Sequence, residues 1–419
     1  MHLSQSCVGP IITGMLPPQQ LPARGASVMN RRMLMNAVAA LSGAVGLGTR
    51  ARAARSGFDG DLEPRGTNGR LERMPSLGLE SRQDFLAEFR ALSQRAIGQA
   101  ARKRVETLLG ERGLDPQGDL PLAQVLAAVG DDPLFATSVH TWLNCQRMTW
   151  STLADEFHGK ADAYLAEMAA ADSRGPGRLE LNPTMAIPDY AKHEIHIQPG
   201  GYVGDPFAGH IYHYGTNGFY IGRNDQDEVL TGFARAVPLP RDGKVLRILD
   251  LGCSIGQLTM ALKQRFPDAE IWGIDVGGPL VRYGHMRAVD QGVDINLAQR
   301  LAEDTKFPDG HFDIVTFYIL FHELPANISR QVVREAHRIL RPGGVFYPID
   351  FYTGSVPPTR NAAQKLRHWW DHRWNNEVWW YEYAGLDLAA AMEDAGFEVD
   401  RKGPPAWIGT TNLLGTRPA

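Results

Sequence analysis

The sequence predicts an open, doubly wound α/β sheet preceded by an α-helical module, and three observations carry that expectation. Residues 246–256 read as an apolar strand closing on Asp250 and Leu251, then the turn Gly252-Cys253-Ser254-Ile255-Gly256, then a helix-like run over 257–266. Residues 270–277 repeat the first half of that pattern, an apolar strand ending on Asp275, 25 positions beyond Asp250. Upstream, apolar residues recur at helical rather than strand spacing. A strand, tight turn and helix start together aim backbone N–H groups and a fixed carboxylate at the carboxyl edge of a sheet, where open α/β folds bind ligands.

In chain order, residues 1–55 form a leader. Arg31-Arg32 precede a mildly apolar run over 37–48, and Ala51-Arg52-Ala53 ends it in an A-x-A-like site. This reads as a bacterial twin-arginine export signal, although no serine precedes the arginines and further arginines crowd the cleavage region. A start at Met29 would give a conventional signal length. The run is too short and too rich in glycine for a permanent membrane span. Export to the periplasm is expected, with a cytoplasmic location the alternative.

A Gly/Pro/Arg-rich linker follows over 56–76, then the helical module over 77–172. Ser81-Arg82-Gln83-Asp84 is a capping-box-like start, and Phe85, Leu86, Phe89, Leu92 and Ile97 continue near helical spacing. Further helices are expected over 121–128, 132–143 and 148–171. Such a module is either a cap or an oligomerisation unit without chemistry of its own.

Residues 173–224 form a histidine- and tyrosine-rich connector. His193, His196, His210 and His213 stand among Tyr202, Tyr212, Tyr214 and Tyr220. The alternation of Ile195, Ile197 and Ile211 fits short strands, in which residues three apart face opposite ways, so the two i, i+3 histidine pairs are not expected to bind a metal. A glycine-rich aromatic lid over a substrate cavity, with a histidine available for proton transfer, is the expected role.

Three chemistries compete for the turn after the first strand. The G-x-G-x-x-G fingerprint of dinucleotide enzymes fails, because Ser254 stands between Gly252 and Gly256. The string Gly252-Cys253-Ser254-Ile255-Gly256 is also a literal G-x-S-x-G, in which Ser254 would be a hydrolase nucleophile. Against that, the chain before it lacks the strands and oxyanion loop that a hydrolase needs, and such an enzyme has no use for Asp275. A carboxylate at that spacing suits a ribose diol.

Three further strings narrow the choice: residues 302–315 (Ala-Glu-Asp-Thr-Lys-Phe-Pro-Asp-Gly-His-Phe-Asp-Ile-Val), Leu320-Phe321-His322-Glu323-Leu324-Pro325, and Leu340-Arg341-Pro342-Gly343-Gly344-Val345. With the turn, they make residues 225–419 resemble class I S-adenosylmethionine-dependent methyltransferases, small-molecule branch, which includes the ubiquinone and menaquinone methyltransferases. The resemblance implies a seven-stranded Rossmann-like methyltransferase sheet with S-adenosyl-L-methionine as cofactor. It places Asp250, Gly252 and Gly256, with Cys253 and Ser254 between them, beside the methionine part. Asp275, followed by Val276, would hold the ribose, and Ala302 and Glu303 would lie against the adenine. Ser254 replaces the usual middle glycine, and Leu301 stands where many relatives carry an acid for the adenine amino group, a bond left to Glu303 or Asp304.

A sulfonium methyl is already activated, so its transfer needs an aligned nucleophile, a base only where that nucleophile is protonated, and a dry cavity. His322 and Glu323 follow the strand predicted over 313–320 at the same edge and are the candidate catalytic residues; the alternative is that His322 packs or caps the helix starting near Ser329. Methylation of a small molecule is the expected function, and a non-catalytic exported protein that binds the cofactor is the rival. Export sits awkwardly with a cofactor made in the cytoplasm, unless the folded protein carries it out.

Composition agrees with a small-molecule acceptor. Lys plus Arg number 43 against 47 Asp plus Glu, a net charge of −4, so nucleic acid has no electrostatic footprint. Cys7, Cys145 and Cys253 show neither metal-ligand spacing nor a disulfide framework. Five of the nine tryptophans, Trp369, Trp370, Trp374, Trp379 and Trp380, fall in one insertion after the fifth strand. They either line the site, which would make the substrate flat or apolar, or bury themselves against the helical module.

Overall fold

The computed structural model describes residues 77–220, 224, 227–351, 361–406 and 412–419. The leader and the 56–76 linker lie outside the described residues.

The sheet is built as the sequence predicts, with one strand more. Its strands are β1 (Leu179–Glu180), β2 (Arg247–Leu251), β3 (Glu270–Asp275), β4 (Asn296–Gln299), β5 (Phe312–Tyr318), β6 (Leu340–Ile349), β7 (Glu398–Gly403) and β8 (Asn412–Thr416). They lie in the order β1-β4-β3-β2-β5-β6-β8-β7, parallel except for β8, which runs antiparallel to β6 and β7. The eighth strand is β1, two residues of the connector that pair Leu179 with Leu297 at the sheet edge. It carries no periodic signal because it is too short to have one.

Helices cover both faces. On one side, α9 (Ala326–Ile339) and α12 (Leu388–Asp394) set Val332, Val333, Ala336, Ile339 and Met392 against Leu249, Leu251, Val315 and Phe317. On the other, α6 (Glu228–Ala236), α7 (Gln257–Arg265) and α8 (Gly278–Gln291) set Phe233, Leu258 and Val281 against Ile248, Ile271 and Ile314. Central strands buried on both faces read as unbroken apolar runs, as β2 and β5 do. Asp313, at the start of β5, ties together the amino edge of the sheet, opposite the ligand-binding edge: it accepts N–H groups of Leu246 and Arg247 at 2.7 and 2.8 Å and Arg341 Nε at 2.6 Å.

The helical module comprises α1 (Leu77–Gly110), α2 (Leu122–Val129), α3 (Pro133–Gly159) and α4 (Ala161–Ala171). Asp132 caps α3 by accepting the Leu134 and Phe135 N–H groups, and Pro133 fits the first turn because it has no N–H to satisfy. The expected break between residues 143 and 148 is absent: Asn144 to Arg147 continue the 3.6-residue pattern, and the chain turns only at Lys160. Among the described residues no helix is long and apolar enough to cross a membrane.

The connector differs from expectation. Ile195–Ile197 is a single 3-10 turn, and Ile211 lies inside α5 (Ala208–Asn217), so neither belongs to a strand. Burial decides the outcome: α5 buries eight of its ten residues, packed with Phe157, Met168, Leu280 and Tyr283 between the module and α8. It is a wedge in the core. The tryptophan-rich insertion forms α10 (Ala362–Trp374) and α11 (Trp380–Ala384). Trp370 packs edge-on to Trp142 of the module at 5.0 Å, while Trp380 turns toward the sheet.

Candidate active site

The strand order reverses between β2 and β5, and the carboxyl ends of β2, β3, β5 and β6 converge there, at the topological switch where open α/β sheets bind ligands. The turn after β2 takes an unusual backbone: Gly252, Ser254 and Gly256 all have positive φ, at 60°, 50° and 74°. Glycine adopts this region freely, and serine does so at a cost. At Gly252 space is also short, because a Cβ would lie 2.7 Å from Leu320 Cδ1 in the loop after β5. The turn therefore brings the chain close to the β5 loop and leads into the N-terminus of α7.

Asp275 clamps the turn from the neighbouring strand. Its Oδ2 accepts the Ser254 N–H at 2.9 Å and its Oδ1 the Gly277 N–H at 2.7 Å. Burial raises its carboxyl above the usual carboxylate range, and those two donors offset the rise only in part. Asp250 sits beneath the turn, 1% exposed, accepting the Thr259 hydroxyl at 2.6 Å. Burial pushes its carboxyl up to about 7, and nearby Asp275 adds to the effect. The Cys253 thiol is likewise raised by burial, which leaves it inert. Val276 offers its carbonyl to Gln299 Nε2 at 3.1 Å. Ala302 packs against the sheet core, and Glu303 Oε1 accepts the Tyr190 hydroxyl at 2.5 Å while Oε2 is buried without a donor among the described residues.

These residues fit S-adenosylmethionine. Asp275 keeps unused lone pairs for a diol, Gly252 leaves a cradle that a side chain would fill, and Glu303 Oε2 lacks the donor that an adenine amino group supplies.

Across from the turn, the loop after β5 carries His322 and Glu323. His322 is 2% exposed; its Nδ1 lies 2.8 Å from Asp350 Oδ1 at the end of β6, and its Nε2 faces Glu323 Oε1 at 3.5 Å. Burial disfavours the imidazolium, yet the Asp350 carboxylate outweighs it and lifts His322 to about 10. Of the alternative reading, capping is not met, since α9 begins at Ala326 after Pro325, whereas packing is: His322 lies against the Phe351, Trp380 and Tyr383 rings.

Of the four connector histidines, one reaches this loop. His196 lies 3.8 Å from Glu323 Oε1 through Nε2 and 2.8 Å from Glu377 Oε1 through Nδ1. Burial lifts the Glu323 carboxyl and Glu377 adds to it; burial also acts on Glu377, but His196 outweighs it and holds that carboxyl low. His210 and His213 are buried in the wedge, with His213 Nδ1 2.8 Å from the Tyr283 hydroxyl, and His193 Nδ1 lies 3.0 Å from the Tyr190 carbonyl.

Tyrosines join the two halves. Tyr202 and Tyr212 pack edge to face at 5.5 Å, and each feels the charges of both Asp275 and Glu323. The Tyr220 and Tyr318 hydroxyls lie 3.2 Å apart. The sequence reading included Tyr202, Tyr212 and Tyr220 in its lid but missed Tyr190, Tyr318, Asp350 and Glu377 as site residues. Asp350 had a signal, an acid closing an apolar strand as Asp250 and Asp275 do; Glu377 had none within a tryptophan-rich stretch.

Residues 248–344 match the family model described as a methyltransferase domain. The chain thus carries a class I S-adenosylmethionine-dependent methyltransferase domain, whose cofactor is S-adenosylmethionine. Its relatives include enzymes of quinone synthesis. It is 33% identical over 128 residues to the demethylmenaquinone methyltransferase of Thermus thermophilus, covering 30% of this chain and 56% of that one. It is 30% identical over 107 residues to a ubiquinone/menaquinone biosynthesis C-methyltransferase of Laribacter hongkongensis, covering 25% and 43%. The chain therefore spans about half the length of the curated relatives it matches. Among solved structures, magnesium protoporphyrin IX methyltransferase from Synechocystis with bound S-adenosylmethionine aligns at a TM-score of 0.32 and 16% identity, over 48% of this chain and 81% of that one.

Proposed function

We propose that the protein methylates a small molecule held between the Gly252–Gly256 turn and the tyrosines opposite it. The observation that supports this best is the convergence of Asp275, clamped to the turn, with Glu323 and the tyrosines of the connector at one edge of a methyltransferase sheet. When bound, S-adenosylmethionine supplies a sulfonium methyl reactive enough that no covalent enzyme intermediate is needed. In this reading Asp275 accepts the ribose hydroxyls, Gly252 and Gly256 admit the methionine part, Cys253, Ser254 and Val276 line it, and Ala302 and Glu303 receive the adenine. Asp250 acts through the turn it supports.

On the acceptor side, Glu323 is the group that touches substrate. His322 is a positioning residue, because both of its nitrogens are engaged and almost none of it is exposed. Tyr202, Tyr212 and Tyr318 exclude water and offer aromatic faces, which suits a flat acceptor with a polar group at its rim. The quinone-synthesis enzymes among the relatives are in keeping with such an acceptor. We also propose that Arg31-Arg32 direct export, which sequencing the mature amino terminus checks.

Isothermal titration of the full chain with S-adenosylmethionine and S-adenosylhomocysteine tests the assignment. Binding of both, with S-adenosylhomocysteine released on incubation with a small-molecule extract, is expected. Absence of heat with either ligand refutes cofactor binding; binding without turnover on any extract favours a non-catalytic carrier.

A further inference from the structure

The connector histidines were not expected to bind a metal, because each pair fails on its own. The fold instead separates them and brings one, His196, to two glutamates from distant segments. One ligand atom each from His196, Glu323 and Glu377 lies within 4.8 Å of the others. We propose that these three side chains form a site for a divalent transition ion of the Zn²⁺, Mn²⁺ or Fe²⁺ type, with open coordination positions facing the acceptor pocket.

Three features carry the proposal. Glu323, Glu377 and the adjacent Asp350 are three carboxylates set against two imidazoles, His196 and His322, an excess of negative charge inside the protein that a divalent ion offsets. Glu377 is 7% exposed, yet its Oε2, like Glu323 Oε2, has no hydrogen-bond partner among the described residues. Such buried acceptors cost about 1–3 kcal/mol each when left unmade. Of the neighbouring donors among the described residues, His322 Nδ1 is committed to Asp350 and Arg367 to Asp371, while His322 Nε2 faces Glu323 Oε1 at 3.5 Å and neither Oε2. Finally, the donor set is right in kind. An imidazole nitrogen with two carboxylate oxygens suits borderline ions, and three protein ligands leave room for water or substrate, the arrangement of catalytic rather than structural sites.

The surroundings hold His196 in place for this purpose. Its φ is 53° and that of Ile197 is 54°, a region β-branched residues in particular avoid. The helical module fixes the strained turn, since the His196 carbonyl accepts Trp150 Nε1 at 2.9 Å and Gln146 Nε2 at 3.2 Å from α3. Asn376 Nδ2 donates to the Glu194 carbonyl at 3.0 Å and so ties the Glu377 segment to the same turn. The module thus acquires a function: it buttresses one metal ligand. An ion here would hold the acceptor's oxygen or nitrogen and favour its deprotonated form. Only that last role rests on the methyl-transfer reading; the ligand set does not.

The test uses the full chain freed of metal by chelation and titrated calorimetrically with Zn²⁺, Mn²⁺ and Fe²⁺ alone, with metal content counted after gel filtration. One equivalent bound is expected, with H196A and E377Q each raising the Kd at least tenfold and H158A, outside the cluster, leaving it unchanged. Should a variant fail to fold, Co²⁺ added to the unmodified chain gives a second reading, a visible d–d band displaced by Zn²⁺. No stoichiometric binding to the folded chain, or binding that H196A and E377Q leave intact, overturns the proposal. S-adenosylmethionine titrated without metal separates the outcomes: its binding with no metal site defeats this inference alone, whereas a metal site without cofactor binding defeats the methyl-transfer reading alone.

Discussion

The two halves of the candidate site are built on opposite plans. The cofactor half is largely local: β2, the turn, the start of α7 and the end of β3 all fall within residues 247–278, Asp275 reaches back only 21 positions to the Ser254 N–H, and only the adenine residues Ala302 and Glu303, with Tyr190 bonded to Glu303, lie outside that stretch. The acceptor half is assembled from His196, Tyr202, Tyr212, Glu323 and Glu377, with 181 positions between its outermost members. A cofactor common to many proteins can be held by one contiguous device, whereas an acceptor particular to one protein is met by segments that only the complete fold brings together. The cofactor half should therefore tolerate changes in the helical module, and the acceptor half should not.

The largest expected effect comes from the core that both halves share. Phe317 is fully buried in β5, 4.4 Å from Phe321, which lies directly before His322. Phe317→Ala should lower stability by about 3–5 kcal/mol in urea unfolding, the usual cost of emptying a buried aromatic site. A loss below about 1 kcal/mol would mean that the β5 loop does not rest on this core.

Next is Asp250, where the effect depends on pH. Its folded-state carboxyl is raised to about 7 from an ordinary 3.8, so the folded protein holds the proton more tightly than the unfolded chain does. Stability must then fall as pH rises from about 4 to 7 and level off above, by at most roughly 4 kcal/mol at 1.4 kcal/mol per pH unit. Asp250→Asn, measured without cofactor, should abolish that slope and gain stability relative to the parent as pH increases. An unchanged slope would place the titration elsewhere.

The same contrast explains what the sequence made legible. The strand ends, the turn and both acids could be read because their geometry is written in nearest neighbours: apolar runs, a glycine where φ is positive, an acid where a strand stops. Ile195, Ile197 and Ile211 misled for the same reason. Alternation over a few residues fits a strand, but burial of α5 between the module and α8 overrode it. Trp370 and Trp380 share one insertion and face different partners, the module and the sheet, which no local pattern distinguishes. Glu377 was invisible because its importance lies wholly in who stands beside it.

On the cofactor side, Asp275→Ala removes the acceptor of the Ser254 and Gly277 N–H groups along with the proposed ribose contact. Hydrogen bonds to a charged group are worth about 1.5–3 kcal/mol, so affinity for S-adenosylmethionine should fall roughly tenfold to a hundredfold by calorimetry. Unchanged affinity would refute the ribose role. Trp150→Phe tests the other half, because it removes the Nε1 donor to the His196 carbonyl. Turnover should drop several-fold while cofactor affinity holds, since a neutral hydrogen bond contributes about 1 kcal/mol. Equal losses in both would erase the distinction between the halves.

The smallest effect should come from Ser254, and it is informative because it is small. The residue occupies a left-handed backbone at φ 50° between two glycines in the same region. Ser254→Gly relieves a strain of about 1–2 kcal/mol, and the added freedom of the unfolded chain takes back about 0.4–1 kcal/mol. Stability should therefore shift by no more than about 1 kcal/mol, and cofactor affinity should hold or tighten slightly. A hydroxyl that attacked an acyl group would give the opposite result: loss of the glycine variant's activity toward an activated ester, with methyl transfer untouched. If Ser254→Gly instead abolishes S-adenosylmethionine binding, the hydroxyl itself contacts the cofactor, and the turn is specific to this chain rather than a generic cradle with one tolerated substitution.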